Sequence, residues 1–291
     1  MIVDSSSVLD PVLLGRIGDL ELVARILAEG LVSGLHRSPF HGYSAEFSQY
    51  RQYRPGDDLK YVDWKLVART DRVYTKQFRE TTNTAAMLVV DTSASMAFPD
   101  GPSSKLRYAI VASAALAHLI STQGDTVGLM TETQYLPAKA GRHHLRRILA
   151  GLSGMTGRDS WTPASLVRRA AERLGRRGLM FVFSDFYDDE DGTLAELRRA
   201  SRLGHEIVVV QVISREELEF GYRRDVELVD LENGQRLAVD AKVARREYMD
   251  AVTAFLERCR LRAGAEGFQY QLMVTDTPHA HNLRTLLLAR Q

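Results

Sequence analysis

The chain has 291 residues, with 38 lysines and arginines against 37 aspartates and glutamates, and a formal net charge of +1. This length allows one large α/β domain or two smaller domains. The near-zero net charge creates no field over the whole molecule that would favour nucleic acid or an anionic membrane as the partner. The single cysteine, Cys259, excludes an internal disulfide, and we expect a buried or half-buried thiol in a reducing cytoplasm.

Two further patterns bear on the location of the protein. The N-terminal sequence MIVDSSSVLDP has no basic region that leads into an apolar run, so it does not predict a secretory signal. The longest weakly polar run, positions 109–120, has 12 residues. A membrane-spanning helix needs about 20 apolar residues. We therefore predict a cytoplasmic protein without a membrane span.

The N-terminal part of the chain divides into two predicted segments, residues 1–35 and 36–83. In the first, apolar residues at helical spacing over positions 10–34 predict one or two amphipathic helices. In the second, the alternation in EFSQYRQY and RVYTKQF predicts short strands on either side of a turn at Pro55 and Gly56. We expect a helical segment followed by a small β-rich subdomain.

Residues 84–291 are predicted to form a larger α/β domain. Buried strands are predicted for the apolar runs AAMLVVD, TVGLMTE, GLMFVFSD, HEIVVVQVI and GFQYQLMVTD, and TQYLPAKA is expected to form a hairpin with TVGLMTE. Helices are expected near 104–122, 143–152, 163–176, 192–203, 241–263 and 281–290. Continuous apolar strands separated by helices are typical of a Rossmann-type, mainly parallel sheet with helices on both faces. A hairpin near 220–240, reversing at Asn233 and Gly234, is a candidate addition to the β subdomain.

The segment VVDTSASM, residues 89–96, places three oxygen donors directly after the first buried strand. Asp91, Ser93 and Ser95 stand at alternate positions, and carboxylate and hydroxyl oxygens suit Mg²⁺ or Mn²⁺. The D-x-S-x-S spacing closely resembles the first part of the metal-ion-dependent adhesion site of von Willebrand factor A domains. A structural alternative stays open, in which Ser93 or Ser95 only caps the following helix.

Two later loops are candidates to complete such a site, because ligands of an open parallel sheet bind beyond the carboxyl ends of its strands. Asp185 follows the strand GLMFVFSD, although Ser184 and Asp185 could instead cap the next element. The loop GMTGRDSWTPAS lies between the two strands and offers Thr162 as a third hydroxyl. We prefer Thr162 because Pro163 suits the first turn of a helix and because the resemblance implies a threonine, and Ser160 and Thr156 remain alternatives.

The resemblance also implies roles for these side chains. Hydroxyl ligands leave a divalent ion electrophilic enough to bind a carboxylate of another protein, whereas two directly bound carboxylates would neutralise it. We therefore expect the two acidic side chains to act mostly through water and the hydroxyls to contact the metal; the candidate metal residues are Asp91, Ser93, Ser95, Thr162 and Asp185.

A second motif, YRQYRPGDDLKYVDWKLVARTDRVYTKQF at residues 50–78, resembles the bacterial domain-of-unknown-function family 58. The matching positions are Arg51, Tyr53, Pro55, Gly56, Asp57, Asp58, Asp63, Trp64, Ala68 and Arg69. The resemblance covers about residues 35–290, and Lys60 and Lys65 depart from it where arginine or alanine is frequent. It implies a von Willebrand factor A-like fold and, as a partner, an ATPase of the MoxR type from the AAA+ class.

The residues of this second motif are candidates for partner binding or for a structural role; the set is Arg51, Asp57, Asp58, Asp63, Trp64 and Arg69. Proline and glycine favour a chain reversal that presents Asp57 and Asp58 together. We favour the structural role, in which the two aspartates pair with nearby arginines and cap a short helix near Lys60. Trp64 is expected to anchor a core.

The function predicted from these observations is a non-enzymatic, metal-dependent adaptor that works with a MoxR-type ATPase in the assembly or remodelling of client proteins. The sequence has no G-x-x-x-x-G-K-[ST] segment, so nucleotide hydrolysis is assigned to the partner. The alternative is a metal-dependent hydrolase or phosphatase that uses the same acidic site. The chain has no G-x-S-x-G segment, and Asp91 is followed by Thr92 and Ser93, so the candidate site lacks the D-x-D of aspartyl-phosphate phosphatases. The basic clusters of the chain are interleaved with acidic residues, which disfavours nucleic-acid binding.

Overall fold

The structure is a computed structural model that describes residues 10–32, 45–54, 57–58, 61–70, 72–80, 84–157, 162–175, 177–187, 189–222, 226–229, 231 and 235–290. The chain divides into two compact units. The smaller unit spans residues 40–83, and the larger unit combines residues 1–39 with residues 84–291. The N-terminal helices therefore group with the α/β unit.

The smaller unit is built on one antiparallel strand pair and one helix. Strand β1 (Ala45–Gln52) pairs with β2 (Tyr74–Glu80), and helix α3 (Trp64–Thr70) lies between them in the chain. Asp63 starts this helix, because its Oδ1 accepts hydrogen bonds from the backbone N–H groups of Lys65 and Leu66, both at 3.1 Å. The strands predicted for this region are thus present, and the turn predicted at Pro55 and Gly56 lies outside the described residues.

Asp57 is tied into the smaller unit by local contacts. Its Oδ1 lies 2.6 Å from Nη2 of Arg51, and its Oδ2 accepts a hydrogen bond of 2.9 Å from the backbone N–H of Arg54. The hydrogen bonds from Arg54 and Arg51 hold the pKa of Asp57 below its ordinary value. Asp58 accepts a backbone hydrogen bond from Tyr61 through its carbonyl oxygen. All of these contacts join residues that are close together in the chain, as a structural role of the two aspartates predicts.

The exposure of the Trp64 side chain differs from the prediction. Its side chain is 62% exposed and α3 has no buried residue, so the prediction that Trp64 anchors a core is wrong. Asp63 caps the helix, so Trp64 is its first residue, and this short helix buries none of its described side chains. Arg69 is exposed in the last turn of the same helix.

The larger unit contains the predicted alternation of strands and helices. Its strands are β3 (Ala85–Val90), β4 (Thr126–Met130), β5 (Tyr135–Lys139), β6 (Leu179–Ser184), β7 (Glu206–Ile213), β8 (Val226–Val229), β9 (Arg236–Val239) and β10 (Gln269–Val274). Its helices are α1 (Pro11–Arg16), α2 (Leu20–Val32), α4 (Lys105–Thr122), α5 (Arg142–Ser153), α6 (Pro163–Leu174), α7 (Glu190–Arg202), α8 (Arg215–Glu219), α9 (Ala241–Ala265) and α10 (His279–Leu288). Helix α8 was not predicted, because five residues with three glutamates carry no helical apolar pattern.

In the part of the chain that the structure describes, the main sheet has the strand order β10-β7-β6-β3-β4-β5. All neighbouring pairs are parallel except β4 with β5, which form the predicted antiparallel hairpin. This confirms the fold class, a mainly parallel sheet with helices. The hairpin of β8 and β9 forms its own two-stranded sheet and does not extend the pair β1 and β2, so that suggested addition is wrong. Its predicted reversal at Asn233 and Gly234 lies outside the described residues.

The strand order creates a crevice between β3 and β6. After β3 the chain crosses to β4 on one side of the sheet order, and after β6 it crosses to β7 on the other side. The loops that leave the two adjacent strands therefore diverge, and such a switch point is where open α/β sheets bind ligands. Asp91 and Asp185 stand at the first positions of these two loops.

Both faces of the sheet are covered. One cluster of buried side chains joins Met87 and Val89 of β3 to Leu166 of α6, Leu197 of α7 and Ala263 of α9. On the other face α4 packs with α2, α5 and α10. Continuous apolar strands such as β3 and β6 follow from this double burial. No helix in the described part of the chain is both long and apolar enough to span a bilayer.

His279 is a buried polar contact between α10 and α4. Its ring stacks on Tyr108 with 3.8 Å between the ring centroids, and its Nε2 lies 3.2 Å from the carbonyl oxygen of the same tyrosine. Its Nδ1 is buried, and among the described residues it has no hydrogen-bond partner. Burial, assisted by the positive charge of Arg107, lowers the pKa of His279 from 6.5 to about 3.

We predict that His279 makes the folded state sensitive to acid. The unfolded chain takes up a proton here near pH 6.5 and the folded chain only near pH 3, so stability is complete above pH 6.5 and falls as the pH drops toward 3. From pH 7 to 5 this site should lower the free energy of unfolding by about 2 kcal/mol. His279→Phe keeps an aromatic ring and should lack this contribution, measured by urea unfolding at each pH. The control is His143→Phe at an exposed position of α5; equal pH slopes in wild type and His279→Phe would contradict the prediction.

Candidate functional site

Asp91 begins the loop that follows β3 and is only 2% exposed. Its backbone N–H donates to the carbonyl oxygen of Phe183 at 2.9 Å, which continues the pairing of β3 with β6 by one step. Its Oδ1 accepts from the backbone N–H of Ser93 at 2.9 Å, and its Oδ2 accepts from the hydroxyl of Ser184 at 2.6 Å. The carboxylate is therefore oriented by groups from both strand ends.

The hydroxyl oxygens of Ser93 and Ser95 lie 3.1 Å apart. Two neighbouring ligands of an octahedral Mg²⁺, each at 2.0–2.1 Å from the ion, are separated by about 3.0 Å. The separation of the two hydroxyls therefore fits adjacent coordination positions. Neither serine caps α4, because the cap of that helix is Ser104, whose Oγ accepts from the backbone N–H of Arg107 at 3.1 Å.

The loop after β6 turns sharply around Asp185. Phe186 has a φ of 60°, in the left-handed region that a residue with a large side chain rarely adopts. The turn is held by the Ser184 hydroxyl, which accepts from the Phe186 N–H at 2.9 Å, and by Gln211, whose Nε2 donates to the Asp185 carbonyl oxygen at 2.9 Å. Asp185 Oδ1 also accepts from the N–H of Tyr187 at 3.2 Å. Ser184 and Asp185 thus stabilise this turn as well as facing the site.

Lys105 lies at the centre of an ion-pair cluster that the sequence analysis missed. Its side chain is completely buried, and its Nζ lies 2.8 Å from Oδ2 of Asp185 and 2.5 Å from Oε1 of Glu217. The ammonium also lies 4.9 Å from the ring centroid of Tyr187. One signal was available: Lys105 immediately follows the serine that caps α4, and most of the rest of that helix is apolar. Its partners are 80 and 112 residues further along the chain, so no local pattern identifies them.

The electrostatics of the two carboxylates differ. Burial in the first place, and the nearby charge of Asp185 in the second, raise the pKa of Asp91 to about 7, against the hydrogen bonds from Ser184 and Ser93. Burial by itself lowers the pKa of Lys105, but the charges of Asp185 and Glu217 outweigh burial and hold that pKa above its ordinary value. Asp185 therefore has a cationic partner, whereas in the described part of the chain Asp91 is in no ion pair.

The charged side chains around Lys105 carry more negative than positive charge. Lys105 with Asp185, Glu217 and Asp91 carries two net negative charges when all four groups are ionised. One divalent cation would neutralise that charge. The described residues contain no group of three or more histidine, cysteine, aspartate or glutamate side chains arranged for a metal, so an ion here would depend on hydroxyl ligands. The donor set of Asp91, Ser93 and Ser95 therefore fits Mg²⁺ or Mn²⁺.

Thr162 is placed differently from the other candidate ligands. It caps α6, and its hydroxyl lies 3.2 Å from Oγ of Ser165 and accepts from the Ser165 N–H at 3.4 Å. Within the described ranges this hydroxyl has no hydrogen bond to the loop after β3. The start of the middle loop does reach that loop, because a Cβ at Gly157 would lie 3.2 Å from the carbonyl oxygen of Ser93. Ser160 lies outside the described residues, and Thr156 is exposed.

The family model described as "Protein of unknown function DUF58" matches residues 49–257. The chain belongs to this family. A relative from Mycobacterium tuberculosis, the uncharacterized protein Rv1480, is 30% identical to this DUF58 protein over 236 residues, which cover 77% of this chain and 73% of the relative. YeaD of Bacillus subtilis, also uncharacterized, is 29% identical over 143 residues, which cover 48% of this chain and 33% of YeaD.

Solved structures that are similar to this DUF58 protein include proteins of the von Willebrand factor A type. BatB, a conserved hypothetical protein of Bacteroides thetaiotaomicron, is 15% identical with a TM-score of 0.47, over 71% of this chain and 98% of BatB. A von Willebrand factor type A protein of Catenulispora acidiphila is 13% identical with a TM-score of 0.41, over 75% of this chain and 44% of that protein. The VWA domain of SpRpn10 is 14% identical with a TM-score of 0.39, over 70% and 93% of the two chains.

We predict that Lys105→Met is strongly destabilising in this DUF58 protein. The substitution leaves Asp185, which is 2% exposed, without its ammonium partner. Breaking a buried ion pair in this way costs about 3–5 kcal/mol of unfolding free energy. The double variant Lys105→Met with Asp185→Asn should lose less than the sum of the two single variants, measured by urea unfolding in a double-mutant cycle. Lys139→Met at an exposed position of β5 is the control; additive losses would show that the two groups do not interact.

Proposed function

We propose that this chain is a non-enzymatic protein-binding adaptor whose loops after β3 and β6 hold Mg²⁺ or Mn²⁺ and use it to bind an acidic side chain of another protein. The observation that carries the proposal is the pair of hydroxyls of Ser93 and Ser95, 3.1 Å apart beside the buried carboxylate of Asp91. The ion, when bound, supplies a Lewis-acidic position for the carboxylate of the partner.

The residues of this chain have distinct parts in that proposal. Ser93 and Ser95 are the direct ligands, and Asp91 acts through water because both of its oxygens already accept hydrogen bonds from Ser93 and Ser184. Asp185 acts at a greater distance, since its Oδ2 is engaged by Lys105. Thr162 is retained as the candidate of the middle loop, although its hydroxyl bonds to Ser165.

The proposed partner is an ATPase of the MoxR type, and the proposed task is the assembly or remodelling of client proteins. The resemblance of the motif at residues 50–78 supports this choice, and the absence of a phosphate-binding G-x-x-x-x-G-K-[ST] segment assigns ATP hydrolysis to the partner. The hydrolase alternative requires a general base beside the ion. Asp91 and Asp185 are the nearest candidates, and both are engaged by groups of the protein.

We predict that Mg²⁺ or Mn²⁺ raises the thermal stability of the wild-type protein. An ion that binds only the folded state adds RT ln(1 + [L]/Kd), which is about 2.7 kcal/mol at a hundredfold excess over Kd. Asp91→Ala and the double variant Ser93→Ala with Ser95→Ala should lose the response. Asp100→Asn, an exposed acid in the same region of the chain, should keep it. The measurement is differential scanning calorimetry with and without EDTA, and a full response in Asp91→Ala would refute the site.

The variant Thr162→Ala tests whether the Thr162 hydroxyl only caps α6 or also binds the metal. Loss of the helix cap alone should lower the unfolding free energy by about 1 kcal/mol and leave the stabilisation by Mg²⁺ unchanged. Loss of the Mg²⁺ response would instead make Thr162 the third hydroxyl ligand. The same calorimetric titration decides between the two results.

We also predict metal-dependent capture of the ATPase. Immobilised wild-type protein should recover a MoxR-type ATPase from native extract in Mg²⁺, with at least tenfold less recovered in EDTA or with Asp91→Ala, which corresponds to about 1.4 kcal/mol. Asp100→Asn should behave as the wild type does. Quantitative mass spectrometry of the recovered proteins is the measurement, and recovery of no ATPase under any of these conditions would contradict the proposed partner.

A further inference from the structure

A polar pocket of about 350 Å³ lies beside the candidate metal site. Its wall includes Thr92, which stands between Asp91 and Ser93 in the chain, and Thr131 and Thr133 from the turn between β4 and β5. Thr156 of the middle loop closes another side. The pocket therefore borders two of the loops that surround the candidate ion.

Thr131 offers the pocket a hydrogen-bond donor. It is 1% exposed, and its hydroxyl accepts a hydrogen bond of 3.0 Å from the backbone N–H of Gln134. Among the described residues the proton of this hydroxyl has no acceptor. A buried hydroxyl that keeps its donor unused loses free energy unless a ligand or water supplies an acceptor. The pocket thus favours a ligand that carries a carbonyl oxygen.

The carboxyl end of α5 also lines the pocket, through Ala150, Gly151 and Gly154. The Ala150 carbonyl oxygen accepts from the Gly154 N–H at 3.2 Å, but this helix end carries partial negative charge and a carbonyl oxygen can accept a second hydrogen bond. A Cβ at Gly151 would press into the Gln134 side chain, which also lines the pocket. A glycine inside a helix costs about 0.5–1 kcal/mol relative to alanine. In this helix the glycine keeps room for the Gln134 side chain in the pocket wall.

Among the described residues that line the pocket, none has a charged side chain. A carboxylate or an ammonium group would therefore lose its hydration here without gaining a counter-charge. A carboxamide has both groups that the walls require, because its oxygen accepts from a hydroxyl and its NH₂ group donates to a carbonyl. We propose that this pocket is a subsite for an asparagine or glutamine side chain of the same partner segment that presents the acid to the ion.

This proposal rests on the proposed function for the identity of the partner, but the pocket can be tested without metal. The probe is N-acetylglutamine methylamide, added to protein with isotope-labelled threonine methyl groups and followed by NMR. The probe should shift the signals of Thr92 and Thr131 in a saturable manner. The comparison probes are N-acetylglutamate methylamide, which is charged, and N-acetylleucine methylamide, which is apolar, and both should bind at least tenfold more weakly, which is about 1.4 kcal/mol.

A pair of glycine variants supplies the control. Gly154→Leu places a side chain in the pocket, and its Cβ would meet only ordinary contacts, at 3.7 Å from the Ala150 carbonyl oxygen and 3.8 Å from that of Gly151. Gly264→Leu is the matched variant, because that glycine is exposed on α9 and a Cβ there meets no atom within 4 Å. The glutamine probe should shift the signals in wild type and Gly264→Leu, and fail to do so in Gly154→Leu.

Three results would overturn the subsite. These are no saturable shift with the glutamine probe in wild type, an equal shift with the leucine probe, or an unchanged shift in Gly154→Leu. The partner assignment has its own test: Gly154→Leu should keep the stabilisation by Mg²⁺ and recover at least tenfold less ATPase, and full recovery would overturn that assignment. If Mg²⁺ neither stabilises the protein nor affects capture while the glutamine shift persists, the adaptor function fails and the pocket stands.

Discussion

The arrangement of this chain depends on how two buried carboxylates are accommodated at the switch point between β3 and β6. Asp91 and Asp185 are each 2% exposed, and each raises the electrostatic cost of the other. Lys105 compensates Asp185 through an ion pair of 2.8 Å, and Glu217 shares the same ammonium. Because a buried charge without a partner is strongly destabilising, this lysine connects the loop after β6 to the first turn of α4 and to α8.

The fold followed from the sequence because its strands are buried on both faces. The runs that became β3 and β6 contain no polar alternation, and this pattern belongs to a parallel sheet covered by helices. Their parallel pairing then places Asp91 and Asp185 at the same edge, as the sequence analysis expected. What the sequence could not provide was long-range pairing. Lys105 and Glu217 are 112 residues apart, and Trp64, which the sequence predicted as a core anchor, is 62% exposed.

The role of Thr162 in the middle loop is a second feature that the sequence could not decide. Pro163 identified the start of α6 from the sequence, and the structure has Thr162 as its cap. A threonine at a helix start can serve equally as a cap or as a ligand, because one hydroxyl has both capacities. The spacing of residues does not distinguish these roles. The hydrogen bonds of Thr162 to Ser165 show the first role directly, and only the response to metal addresses the second.

The ammonium of Lys105 determines what the proposed ion would contribute at this edge of the sheet. A site that joined two carboxylates with no internal cation would need metal to relieve their repulsion, and folding would then depend on the ion. In this chain Asp185 is already paired with the ammonium of Lys105. Of the two carboxylates, Asp91 is the one that forms no ion pair among the described residues. One of the two uncompensated negative charges lies on Asp91, at the start of the loop that carries Ser93 and Ser95, next to the polar pocket. In the proposed function, the ion and the partner would therefore bind reversibly without loss of the fold, because Lys105 and not the ion compensates Asp185.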